Sequence, residues 1–209
     1  MRLTALAVGK HRTIKVALSL VLLALVACSK PSADARLKRG NDLLAQGRTR
    51  EAIFEYRLAV QIDPKRADTR RALSEAYEVV GDKEAITEAV RVADLLPKDV
   101  TAQLRAGRLL LVARNFEDAK TRAKQAIALN PKDPEGLILL GNISAGLKDF
   151  NGAITDYENA IALNNGEDLA AYENLATLQN VRGAKADAEA NFRKAVAVAP
   201  KSKFPGPWL

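Results

Sequence analysis

From Asp133 to Asn165 the apolar positions keep a helical beat. Leu137, Leu140, Gly141 and Leu147 mark a first segment, and Ala153, Ile154, Tyr157, Ala160 and Ile161 a second. Recurrence at three and four residues predicts two short amphipathic helices. Lys148-Asp149 breaks the pattern, as a tight turn between antiparallel helices would. Small residues at Gly141, Ala153 and Ala160 let the two backbones approach, and Tyr157 supplies bulk between them. One such hairpin cannot bury its own apolar face, so the pattern calls for neighbours of the same kind.

The neighbours recur at a fixed interval. The residue closing each second segment is Pro64, Pro97, Pro131, Asn165 and Pro200, spaced by 33, 34, 34 and 35 residues. The small site of the first segment is Gly40, Ser74, Gly107, Gly141 and Ala176. The small site opening the second is Ala52, Ala85, Ala119, Ala153 and Ala188. Four residues on come Tyr56, Ala89, Ala123, Tyr157 and Phe192, then Ala59, Val92, Ala126, Ala160 and Ala195. The second repeat lacks one residue in its Gly81-Asp82-Lys83-Glu84 turn, and one extra residue follows Asn165.

With this period and phase the chain resembles the tetratricopeptide repeat family, although the tryptophan usual in that family's first helix is absent. The resemblance implies an all-α fold, an α-solenoid of about five helix-turn-helix hairpins in a right-handed superhelix. The expected repeats are 34–66, 67–99, 100–133, 134–168 and 169–200. Low aromatic content (5%) and the lack of a strand-like run agree with helix-on-helix packing.

The resemblance also implies where partners bind, because first helices line the concave groove of such an array. Residues three and four apart share a helix face. On family positions that face carries Leu37, Asn41 and Leu44, then Arg71, Glu75 and Glu78, then Leu104, Arg108 and Leu111. It continues through Ile138, Asn142 and Ala145 to Glu173, Thr177 and Asn180. Amides and arginines beside aliphatic residues suit an extended peptide or a protein segment, since they pair with backbone carbonyls and carboxylates. Chaperone-binding members of the family clamp a C-terminal carboxylate. Asn41 and Arg105 match that clamp, but Leu37 and Ala72 stand where its first lysine and second asparagine belong, so it is not expected here.

Residues 1–27 read as a secretory leader: a basic front without acids, the apolar run Val16 to Val26, then Leu25-Val26-Ala27-Cys28. The run is shorter than the roughly 18 to 20 residues that span a bilayer. The closing tetrapeptide resembles a bacterial lipobox, which implies Cys28 as an acylated mature N-terminus, with 28–33 as a lipidated linker. Two or more acyl chains give stable attachment without a transmembrane helix. Ser29 rather than aspartate after the cysteine points to the outer membrane, facing the periplasm.

Charge modifies this picture locally. Without the leader, 28 basic against 25 acidic side chains leave +3, and the excess sits in Lys30 to Arg71, eleven basic against six acidic. That end could meet anionic lipid or an acidic polysaccharide, or simply be a solvated face. Nucleic acid is not expected as a partner. The one histidine, His11, lies in the leader, and Cys28 is the one cysteine. No catalytic set, metal cluster or phosphate loop can be assembled, so neither an enzyme nor a cofactor or metal is expected. The tail 201–209 holds Pro205 and Pro207 and cannot continue as a helix. Phe204 and Trp208 there would either plug the last repeat or belong to an interrupted longer array. The layout resembles, more distantly, repeat lipoproteins of exosortase/PEP-CTERM exopolysaccharide systems. The expected function is a membrane-anchored scaffold for envelope, pilus, secretion or exopolysaccharide assembly; the alternative is a periplasmic glycan binder.

Overall fold

The computed structural model describes residues 31–199; the leader, Cys28 and the tail 201–209 lie outside the described residues. Ten helices occur among them, and no strand. They pair as α1 (Ala33–Ala45) with α2 (Thr49–Ile62), α3 (Ala67–Val79) with α4 (Glu84–Leu95), and α5 (Val100–Val112) with α6 (Phe116–Leu129). α7 (Pro134–Gly146) pairs with α8 (Phe150–Leu163), and α9 (Leu169–Val181) with α10 (Lys185–Val198).

Local chemistry explains where each helix starts and stops. Ser32, Asp99, Asp133 and Asp168 accept a hydrogen bond from a first-turn amide of α1, α5, α7 and α9, each such cap contributing about 1 kcal/mol. Proline ends α2, α4 and α6, because the residue before it is driven out of the helical region. Asp63, Leu96 and Asn130 accordingly sit at φ −131°, −121° and −138°. Where Asn165 replaces proline, the chain turns instead through two left-handed residues, Asn165 (φ 53°) and Gly166 (φ 78°). The extra residue of the fourth interval is taken up there.

Inside each hairpin the turn is the same. Gly47, Gly81, Arg114, Lys148 and Gly183 have positive φ. The next amide returns to the carbonyl five residues back, Arg48 to Leu43, Asp82 to Tyr77, Asn115 to Leu110, Asp149 to Ser144 and Ala184 to Gln179, all at 2.9 Å. This is the six-to-one closure that satisfies the last carbonyls of a helix. The second repeat loses its residue from the helix and not from the turn: α4 has 12 residues against 14 in the other second helices, and the turn before it, residues 80–83, is one longer than the others, a net loss of one.

The in-phase small sites are all buried. Gly40 and Gly141 face the rings of Tyr56 and Tyr157, and a methyl group at either glycine would overlap the ring. Each second helix packs on its own partner and, for α2, α4, α6 and α8, on the next first helix. First helices α5, α7 and α9 also touch one another directly, and no two second helices pack together to that extent. Closer spacing of the first helices curves the array toward them, so they line its concave side.

Candidate functional site

The concave side is crossed by ion pairs that join one hairpin to the next. Arg71 of α3 donates to Asp99 at the start of α5 at 2.9 Å. Arg105 of α5 reaches back to Glu75 and Glu78 of α3, and Arg108 of α5 reaches forward to Glu135 of α7. Four of the side chains expected to be free for a ligand, Arg71, Glu75, Glu78 and Arg108, are therefore already engaged between repeats. They remain partly solvated; Arg108 and Glu135 are 55% and 54% exposed. Exposed pairs of this kind contribute about 0–1 kcal/mol, so an incoming carboxylate can take the place of Glu135 on Arg108 at little cost.

Asn41 and Asn142 are each fixed through their carbonyl oxygen. Tyr56 donates its hydroxyl to Asn41 Oδ1 and Tyr157 to Asn142 Oδ1, both at 2.8 Å. An amide held through its oxygen keeps its NH2 as the donor for a ligand carbonyl. Leu44 and Leu111 are half-buried against their own cores, Ile138 is half-buried, and Asn180 is exposed at the far end beside Phe192.

Leu104 is a correction. It is 4% exposed and packs in the cluster of Leu110, Ala119, Leu139 and Ile143, so it offers a partner nothing. The direct contact of α5 with α7 covers this position, whereas its equivalents Leu37 and Ile138 stay half-open.

Between α3, α4 and α5 lies a cavity of about 70 Å³, bounded by Arg71, Ser74, Glu75, Ala89 and Arg105. It occurs where Ser74 and Ala89 replace the glycine–tyrosine pairs of repeats one and four. Arg105 Nε at its edge is buried without a hydrogen-bond partner. The volume is enough for about two waters.

A polar position inside the second helices escaped the sequence reading. The residue before the tyrosine site is Glu55, Glu88, Arg122, Asp156 or Asn191. Glu55 receives Arg36 at 2.7 Å and Arg39 at 3.2 Å. Glu88 receives Arg70 at 2.5 Å, a pair only 14% and 7% exposed, while Arg70 Nε also donates to the Pro64 carbonyl. Arg122 donates to Gln103 and to Asp94, and Asn191 donates to Gln179. Asp156 accepts only from Ser144, at 3.2 Å. Burial pushes its carboxyl above the ordinary range, against that hydrogen bond. Burial, with the Asp156 charge beside it, pushes Tyr157 up to about 12. The signal was a polar residue in fixed phase within an apolar stripe.

The basic first repeat is largely neutralised from within. Arg36, Arg39, Arg48, Arg66, Arg70 and Arg71 each have a carboxylate partner, Arg66 pairing with both Asp34 and Asp68. For Asp99, burial works against the charge, and the Ala102 amide together with Arg71 outweighs it, holding the carboxyl below the usual range. Among the described residues no cluster of three metal-ligating side chains occurs, and no helix is long and apolar enough to cross a membrane.

Models described as tetratricopeptide repeat match residues 33–66, 104–154 and 145–203, more than half of the chain. The chain belongs to the tetratricopeptide repeat family. Tetratricopeptide repeat proteins generally act as non-catalytic scaffolds that bind other proteins. Among solved structures, this tetratricopeptide array is similar to MamA from Desulfovibrio magneticus RS-1, with 19% identity over 83% of this chain and 97% of that one, at a TM-score of 0.69. PilF from Pseudomonas aeruginosa shares 22% identity over 81% of this chain and 77% of its own, at 0.61. A tetratricopeptide repeat protein from Parabacteroides merdae shares 18% over 80% and 66%, at 0.70. Such identities establish a common fold. No curated protein matches in sequence.

Proposed function

We propose that the protein is a scaffold that binds a partner protein or extended peptide along its first helices, held at the membrane through acylated Cys28. The observation that carries the binding face is the row of exchangeable partners on it. Arg71, Arg105 and Arg108 are partly exposed, Arg108 the most at 55%, and each is paired with a carboxylate from an adjacent hairpin. Asn41 and Asn142 present amide donors of fixed orientation. Carboxylates and backbone carbonyls of a bound segment satisfy both sets. Lipid attachment rests on the leader and on Leu25-Val26-Ala27-Cys28, and the setting at the periplasmic face of the outer membrane on Ser29 after the cysteine; a role in envelope, pilus, secretion or exopolysaccharide assembly rests on the repeat array held there.

Photo-crosslinking in cells tests the reading. A photoreactive residue replaces Arg108 in the full chain, with Lys124 on α6 as control. A discrete protein adduct at position 108 alone is the expected result; no adduct there, or equal labelling at both positions, overturns it. Replacing Cys28 by serine should move the protein from the membrane fraction to the soluble one.

A further inference from the structure

Every second helix turns one side away from the first helices, and on that side the first repeat departs from the others. Phe54 of α2 is 60% exposed there, and Leu58, one turn on, is half-buried. The same two positions hold Thr87 and Arg91 in α4, Thr121 and Gln125 in α6, Thr155 and Asn159 in α8, and Ala190 and Lys194 in α10, all exposed. Solvent therefore meets polar or small side chains in four repeats and apolar ones in the first. Ile62, 51% exposed, carries the stripe one turn further.

The charge beside this stripe is one-sided. Arg50, Phe54, Arg57 and Gln61 follow one another at helical spacing, so the two arginines border it. Arg50, Arg57 and the exposed Lys65 form no ion pair among the described residues. With Lys83, the two arginines also bound an open hollow of about 880 Å³ beside the α3–α4 turn, whose carboxylates are Asp82 and Glu84. On the opposite flank Glu51 is taken up by Arg48, and Glu55 by Arg36 and Arg39.

The path of the chain brings this face close to Cys28. Arg66, just past α2, pairs with Asp34 in the first turn of α1, so the end of α2 and the start of α1 are neighbours. Ala33 comes five residues after Cys28, a reach of at most about 18 Å. From Ile62 back to Phe54 the helix rises about 12 Å. An acyl anchor on Cys28 thus keeps the whole stripe within reach of the bilayer surface.

We propose, resting on the acylation of Cys28 argued above, that the outer face of α2 docks on the membrane. Phe54, Leu58 and Ile62 enter the headgroup zone, and Arg50, Arg57 and Lys65 meet the phosphates of anionic lipid. So small a face holds because the anchor makes its contact intramolecular. Docking in this sense turns the first helices away from the bilayer and leaves their side open to a partner.

The test uses the lipidated protein in vesicles of phosphatidylethanolamine and phosphatidylglycerol. Gln61→Cys, or its equivalent Ala162→Cys on α8 as control, carries a polarity-sensitive dye. The mass of the N-terminal peptide first establishes acylation, so a failure of the anchor is seen separately. A blue shift and quenching by spin-labelled lipid are expected at position 61 and not at 162. Both effects should be lost with Phe54→Glu, and with Arg50→Glu and Arg57→Glu together, while the protein stays on the vesicles. Equal signals at the two positions, or a signal at 61 that survives these substitutions, overturn the proposal. A dye at 61 that responds to dextran sulfate and not to lipid would assign the face to an acidic polymer, and overturns it as well.

Discussion

Tyr157 donates its hydroxyl to Asn142 Oδ1 at 2.8 Å, and its ring fills the space that the neighbouring Gly141 leaves open. Tyr56 repeats the arrangement with Asn41 and Gly40. Ring and hydroxyl act as one unit. Gly141→Ala should cost about 1–3 kcal/mol by overpacking. Tyr157→Phe should cost about 1 kcal/mol and Asn142→Ala about 1–2, with the double variant less costly than the sum. Urea unfolding of the four proteins checks this; strict additivity would show that the two groups do not share the bond.

Lys148 occupies a left-handed turn (φ 64°) that three of the five hairpins give to glycine. The strain of a side chain there is about 1 kcal/mol, partly offset by the greater freedom glycine loses on folding. Lys148→Gly should therefore raise stability by about 0.5 kcal/mol, and Lys148→Val should lower it. Thermal unfolding of the pair decides; a loss with glycine would contradict the turn geometry.

The Arg70–Glu88 pair is the most enclosed ion pair among the described residues. Removing one partner leaves a buried charge, so Glu88→Ala should cost about 3 kcal/mol. The exposed Arg193–Glu189 pair offers the contrast. Glu189→Ala should stay within about 0.5 kcal/mol of the parent. Equal losses in the two variants would contradict the difference in burial.

Asp156 carries a raised carboxyl pKa. A folded-state pKa above the unfolded one means that the folded form binds the proton more tightly. Stability is therefore lost as pH rises through the window that opens near the unfolded value of about 3.9 and closes above the raised folded value. Asp156→Asn should stabilise the protein at pH 7, with the gain disappearing below about pH 4. Unfolding midpoints between pH 3 and 7 test the sign; a variant less stable at pH 7 would reverse it.

Phase was legible in the sequence because each size constraint falls on one residue per repeat. Gly40 and Gly141 must be small where Tyr56 and Tyr157 are large, and that pairing survives without coordinates. The groove was less legible. Whether Arg105 meets Glu78, or Arg108 meets Glu135, depends on the offset between successive hairpins rather than on position along a helix. The same offset buries Leu104, which helical spacing alone cannot distinguish from Leu37. Glu55, Glu88, Arg122, Asp156 and Asn191 were in phase too, but their partners differ from repeat to repeat, so no common pair stood out.

Helices here touch only their own hairpin and the next. Such a molecule comes apart link by link, like a zip opened from its looser end. Among the described residues the two end hairpins, α1–α2 and α9–α10, are each held from one side, so their amides should be first to exchange hydrogen, while those of α5 to α7, flanked on both sides, follow last. A melting temperature measured on the whole chain would then report its weakest joint, and a bound partner that slowed exchange at one end would leave the other end as it was.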